Sequence, residues 1–147
     1  MNSQTIEETV YSRTELMLGR DGVEKLRHSH VAVFGVGGVG GFAVEALARA
    51  GVGEITLIDS DRVSESNLNR QIIALRSTVG MLKTDVMMQR IVDINPDIKV
   101  NPMPIFYDTD TTSIDFSRFD YVIDAIDSVR SKLHLIAARR SRTCAPA

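Results

Sequence analysis

Gly35, Gly37 and Gly40 stand at the spacing G-x-G-x-x-G, and the residue types that follow them can handle a phosphorylated ligand. Between a strand and a helix that spacing has a physical use. The first glycine permits a tight turn, the second admits a phosphate close to the backbone, and the third lets the helix pack near the sheet. The helix start then presents unpaired N–H groups and a positive dipole end to the anion. Asp59 closes the next strand-like run, where a carboxylate can accept hydrogen bonds from ribose hydroxyls.

Dinucleotide-dependent dehydrogenases use the same fingerprint, but three further features argue for ATP. They are Asp61 with the stretch Ser66-Asn67-Leu68-Asn69-Arg70-Gln71, Lys83 at a helix start, and Asp127 just past a strand. Arg70 and Lys83 can neutralise a triphosphate tail and the leaving pyrophosphate. Asp127 can hold Mg2+, an ion that takes one or two carboxylates plus phosphate oxygens. A nicotinamide cofactor needs neither the cations nor the metal, and nothing here serves hydride transfer. Each residue also has a plainer use. Arg70 and Lys83 can be surface charges, Asn67 and Asn69 turn formers, and Asp127 with Ser128 a helix cap. Capping and metal binding are compatible at Asp127. His28, His30 and His134 pair with no nucleophile and read as structural or solvated.

These groups must be carried by alternating strands and helices. Val31–Phe34 reads as a strand running into the glycine loop. The helix after it repeats apolar residues at Val39, Phe42, Ala43, Ala46, Leu47 and Ala50, the expected buried face. Glu54–Ile58 is a second strand. Ser60–Ser77 is a long polar connection of the kind that often carries function. Leu82–Ile94 is a helix stopped by Asn95-Pro96, Ile98–Met103 a third strand, and Tyr121–Ile126 a nearly continuous apolar strand suited to burial on both faces. Thr14–Leu26 reads as a helix that Gly19 and Gly22 divide. The order predicts an α/β, doubly wound, mainly parallel sheet. Ligands bind such sheets at the C-terminal ends of the strands, where these residues fall.

At 147 residues, with 44% hydrophobic and 24% charged content, the chain suits one soluble domain. The expected division is an N-terminal arm 1–13, a nucleotide-binding domain 14–138 and a tail 139–147. A net charge of -2 argues against a broad nucleic-acid surface, though not against a local basic patch such as Arg139, Arg140 and Arg142. The single cysteine, Cys144, forms no internal disulfide or zinc cluster and fits a reducing, cytoplasmic setting. No apolar run approaches the ~20 residues of a membrane helix.

In order and spacing, the chain resembles the E1-like (ThiF/MoeB/HesA) adenylating family. The resemblance rests on Gly35-x-Gly37-Gly38-x-Gly40, Leu57-Ile58-Asp59-x-Asp61, Ser66-Asn67-x-x-Arg70-Gln71, Val79-Gly80-x-x-Lys83, Ile94-Asn95-Pro96 and Asp124-x-x-Asp127. It covers roughly Tyr11 to Ile136. It implies a Rossmann-like fold with helices on both faces and a site for ATP and Mg2+. Asp59 would bind the ribose, Asn67, Arg70 and Lys83 the phosphates, and Asp127 the metal, with Gly35, Gly37, Gly38, Gly40 and Asp61 completing the nucleotide site. Tyr11-Ser12-Arg13 looks like the family's Tyr-x-Arg segment, whose arginine reaches across a homodimer interface. Arg13 is therefore a candidate trans-acting residue, or else an arginine on an arm.

The stretches Ser12–Leu16, Asn69–Leu75 and Asp120–Ser128 resemble the branch that dehydrates threonylcarbamoyladenosine at tRNA position 37. The implied reaction adenylates its carboxylate, then closes a ring and releases AMP. Two alternatives stay open: adenylation of the C-terminal glycine of a ubiquitin-like sulfur-carrier protein, and a catalytically silent nucleotide-binding module. Relatives of this type run longer, and Arg139–Ala147 does not resemble their continuation. Cys144 accordingly reads as an incidental thiol.

Overall fold

The structure is a computed structural model that describes residues 9–111 and 114–143, with side chains described up to 138. The expectations placed on residues 1–8 and on Cys144 lie outside the described residues. Strands β1 (His30–Phe34), β2 (Glu54–Ile58), β3 (Lys99–Met103) and β4 (Tyr121–Asp124) form one sheet in the order β3-β2-β1-β4. Every pairing is parallel, with Val33 opposite both Leu57 and Ile123. The chain runs from β1 outward to β3 and then returns to the far side of β1. The strand order reverses between β1 and β4, which opens a crevice at their C-terminal ends.

Burial explains β1, whose residues are all buried. Successive side chains point to opposite faces of a strand. Val31 and Val33 join a core with Val44 and Ala48 of α2 (Gly40–Ala50) and Met87 and Ile91 of α3 (Lys83–Ile94). Ala32 and Phe34 join the opposite core with Tyr107, Phe116 and Leu135 of α4 (Val129–Thr143). Helices therefore cover both faces. Leu26 of α1 (Ser12–Arg27) packs on the first core.

Several expectations shift. In α2 the buried residues are Gly40, Gly41, Val44 and Ala48, while Val39 and Phe42 are exposed. The helix starts against other backbone, so Gly40 and Gly41 must face inward, and positions four and eight residues after Gly40 follow them. The apolar periodicity pointed to the wrong face because glycine is invisible to it. In α1 only Gly19 breaks the helix (φ 72°), and Gly22 stays helical. That helix begins at Ser12, and the Tyr11 hydroxyl accepts a hydrogen bond from Asn95 Nδ2. β4 is shorter than the apolar run and pairs with β1 alone among the described residues, leaving Tyr121 exposed and the rest half-buried. Pro102 is tolerated because β3 is also an edge strand. Residues 139–143, expected in a tail, continue the α4 backbone.

Candidate nucleotide-binding site

A cleft of about 520 Å3 lies over the C-terminal ends of the strands. It falls within the roughly 300–1,000 Å3 of small-molecule sites. Its first wall is the glycine loop. Gly35 has φ +89°, and a Cβ there would sit 2.5 Å from the Ala125 carbonyl oxygen. A Cβ on Gly40 would sit 1.8 Å from the Gly35 carbonyl oxygen. The fold itself demands glycine at both positions. Val36 between them is fully buried and anchors the loop in the core. At Gly37 and Gly38 an added Cβ would come no nearer than 3.6 and 3.9 Å to the protein. Packing does not require glycine there, so what these two keep clear is the cleft they line. The α2 N-terminus follows at once, with no acidic residue in its first turn to offset the dipole.

Asp59 holds this wall in place. Its Oδ2 accepts from the Val36 N–H at 2.7 Å, and its Oδ1 accepts from the Asp61 N–H at 2.8 Å. A carboxylate has about four lone-pair sites, so capacity remains for ribose hydroxyls.

The second wall is charged. Lys83 opens α3 with its side chain only 7% exposed, and its Nζ donates to Asp61 Oδ2 at 2.8 Å. The connection from β2 to α3 is pinched at its base by an Arg62–Leu82 bridge. Within it, a 3-10 turn (Glu65–Asn67) carries a capping box between Ser64 and Asn67. Arg70 lies just beyond and donates through Nη1 to the Ser66 carbonyl and Asn69 Oδ1, leaving Nε and Nη2 able to meet an anion. Gln71 follows, buried, on the cleft wall.

The third part comes from the loop after β4. Asp124 Oδ1 accepts from the Ile126 N–H and from Lys132 Nζ, both at 3.1 Å, which ties the strand end to α4. Ser128 supplies the helix cap, its Oγ accepting from the Ser131 N–H. Asp127 is thereby relieved of the capping role. It lines the cleft exposed, with no hydrogen bond or ion pair among the described residues. Beside these polar groups lie Ile105, Phe106 and Tyr107, directly after β3. Tyr107 packs edge-on to Phe34 and its hydroxyl bonds His134 Nδ1 at 2.9 Å. Burial pushes its phenol pKa up. Phe106 stays 67% exposed, a flat apolar surface suited to a base.

Of the residues singled out from sequence, Gly35, Gly37, Gly38, Asp59, Asp61, Arg70, Lys83 and Asp127 line one cleft. Gly40 lies beneath it, against Gly35. Asn67 does not line it: buried, it spends its Oδ1 on the Ser64 N–H at 3.0 Å. Arg13 is exposed near the start of α1 and lines no part of the cleft. Gln71 and the Ile105–Tyr107 segment were given no role, while Ser128 caps α4, one of the uses expected of the Asp127-Ser128 pair. The apolar triplet directly after a strand was the available signal for that segment.

No group of three or more potential metal ligands occurs among the described residues. Asp61 is exposed in the cleft but paired with Lys83, and the exposed, unpaired Asp127 fits an ion that arrives with a nucleotide, as Mg2+ does.

Residues 11–143 match the ThiF family. The tRNA threonylcarbamoyladenosine dehydratase of Bacillus subtilis is 53% identical over 127 residues, 86% of this chain and 50% of that protein. Adenylyltransferase and sulfurtransferase UBA4 of Saccharomyces cerevisiae is 40% identical over 75% of this chain and 25% of its own. Among solved structures, the Escherichia coli tRNA N6-threonylcarbamoyladenosine dehydratase in complex with ATP is 44% identical. It superposes with a TM-score of 0.85 over 90% of this chain and 55% of its own. The chain spans about half the length of the curated dehydratases it matches. The glycine loop, the parallel sheet with its switch point, and the match over residues 11–143 together place this chain in the ThiF family.

Proposed function

We propose that this chain forms the ATP-binding part of an enzyme that activates a carboxylate as an acyl-adenylate. The substrate proposed is threonylcarbamoyladenosine in tRNA. One observation carries the reading. Two cations and an unpaired carboxylate, Arg70, Lys83 and Asp127, share a cleft with a glycine loop whose Gly37 and Gly38 are kept clear.

A carboxylate is a poor electrophile because its leaving group would be oxide. Its oxygen attacks the α-phosphorus of ATP, the bond to the β-phosphate oxygen breaks, and pyrophosphate leaves. An internal nucleophile of the same threonylcarbamoyl group then attacks the activated carbonyl and displaces AMP. The balance is closure of a ring with loss of one water, paid as ATP hydrolysed to AMP and pyrophosphate. The protein positions the reactants and neutralises developing charge on the phosphates. Lys83 and Arg70 face the polyphosphate, and Asp59 orients the ribose. Asp127 would hold Mg2+, which would supply charge neutralisation for the polyphosphate. Arg13, outside its own chain's cleft, serves the site of a second copy in a homodimer. The setting proposed is cytoplasmic. No described helix is long and apolar enough to cross a membrane.

The test combines the purified protein, ATP, Mg2+ and tRNA carrying the modified nucleoside, with Asp127→Ala in parallel. AMP release with loss of one water from the nucleoside, abolished in the variant, is the expected result. ATP binding with no product from tRNA would sink the substrate assignment. AMP formation with a carrier protein ending in Gly-Gly would then support the second reading, which the identity to UBA4 favours.

A further inference from the structure

Ile94-Asn95-Pro96 ends α3, but Pro96 is enough for that. The Asn95 side chain is occupied elsewhere. It is 7% exposed, its Oδ1 accepts from the Asp97 N–H at 3.1 Å, and its Nδ2 donates to the Tyr11 hydroxyl. Two other segments close on the same tyrosine. The Arg27 guanidinium lies 5.6 Å from the centre of its ring, within the ~6 Å of a cation–π contact. Gly51, the left-handed cap of α2 (φ +88°), faces the ring edge, where a Cβ would come within 2.4 Å of Cε1. Glycine at 51 therefore serves both the backbone turn and the ring.

The clamp has a defined place. Arg27, Gly51 and Asn95 stand just ahead of β1, β2 and β3, so Tyr11 sits at the N-terminal ends of the parallel strands. The nucleotide cleft lies over their C-terminal ends. Strands of this length separate the two ends by roughly 16 Å. Arg13 is exposed and follows Tyr11 by two residues at the start of α1, a helical rise of about 3 Å. It is therefore held at the end of the sheet opposite its own chain's cleft. Ahead of the break at Gly19, α1 buries no residue; Val23, which is buried, comes after it. The clamp on Tyr11 thus ties down a half-helix that the core does not.

We propose that Tyr11, clamped by Gly51 and Asn95, is a positioning residue for Arg13. It fixes the first half of α1 away from its own cleft and so presents the arginine to the nucleotide of a second copy. This rests on the role proposed above for Arg13.

Calorimetric titration with ATP and Mg2+ tests it on wild type, Arg13→Ala, Tyr11→Ala and the double variant, and on each single variant co-expressed with Lys83→Met, whose own cleft should not bind. Tyr11→Ala should weaken ATP binding about tenfold, as Arg13→Ala does, and the double variant no further. In the co-expressed mixtures a Lys83→Met chain lends its intact arm to the intact cleft beside it. Wild-type affinity should then return at about one site per four chains, as random pairing in a two-fold dimer gives. A packing defect stays with its own chain and is not rescued in this way. Tyr11→Phe, which deletes only the hydroxyl, should weaken binding about threefold and carries the same test if Tyr11→Ala folds poorly. Unchanged affinity in both Tyr11 variants, or rescue of Arg13→Ala but not of Tyr11→Ala, would overturn this inference alone. No loss in Arg13→Ala, or no rescue of it, would overturn the role of Arg13 and this inference with it. Wild type that binds no ATP would overturn the nucleotide reading itself.

Discussion

The two walls of the cleft spend their polar groups differently. On the glycine-loop side, both oxygens of Asp59 already take backbone N–H groups, and Gly35 and Gly40 are glycine because neighbouring backbone leaves no room for a Cβ. In the rest of the lining, Arg70 uses only Nη1, and Asp127, in the loop after β4, has no described partner. The first wall is bound up with folding. The second holds hydrogen-bonding capacity that folding does not consume. Substitutions should therefore separate: stability effects on the first wall, binding effects on the second, with Gly37 and Gly38 as islands of the second kind inside the first.

Gly40→Ala is the strongest way to break that contrast. Its Cβ would collide with backbone, so it should cost more than about 3 kcal/mol in urea denaturation. Gly37→Ala should stay within about 1 kcal/mol of wild type and yet lose at least tenfold in ATP affinity by titration. Equal instability in both variants would mean that the whole loop is structural.

The Asp61–Lys83 pair offers a finer test. Lys83 is buried and Asp61 is 65% exposed. Removing the exposed partner leaves a buried ammonium uncompensated, so Asp61→Ala should destabilise by about 1–3 kcal/mol. Lys83→Met leaves only a solvated carboxylate and should be near neutral in thermal melts, while ATP affinity collapses. The reverse order of stabilities would show that Lys83 is there for the fold.

The smallest effect lies between the walls. Glu45 of α2 accepts from Arg90 of α3, which links the helix behind the glycine loop to the one that starts at Lys83. The Arg90 hydrogen bond, ahead of Arg49, holds the Glu45 carboxyl below its usual range despite an opposing desolvation effect. A depressed carboxylate stabilises fully above the unfolded value of ~4.3, and that contribution fades as pH falls through the lower folded value. Glu45→Gln should therefore cost about 1 kcal/mol at pH 7 and progressively less on acidification below ~4.3. A pH-independent difference in Tm would remove the ion pair from the account.

Much of this was legible beforehand because it is local. Glycine spacing, the apolar run at β1 and the carboxylate closing β2 are consecutive in the chain, and each has one physical use between a strand and a helix. The inward face of α2 was not legible, because it is set by the folding-back of Gly40 onto Gly35 and Ala125 and of Gly41 onto Ile72 and Met87. Nor could the sequence choose between turn and phosphate roles for Asn67, or say which of Asp127 and Ser128 caps α4, since these side chains cap and bind with the same atoms. Only the folded loops show Asn67 committed to Ser64 and Ser128 capping α4.

By itself the sequence determined the order of elements, the glycine loop and the set of charges near it, because short-range sterics and period-2 or period-3.6 burial act within a few residues. The tertiary structure decided which of those charges share one cleft, which polar atoms folding has already used, and which remain for a ligand. Those properties depend on distances between β1, β4 and the turn before α3, and such distances exist only once the sheet has set its strand order.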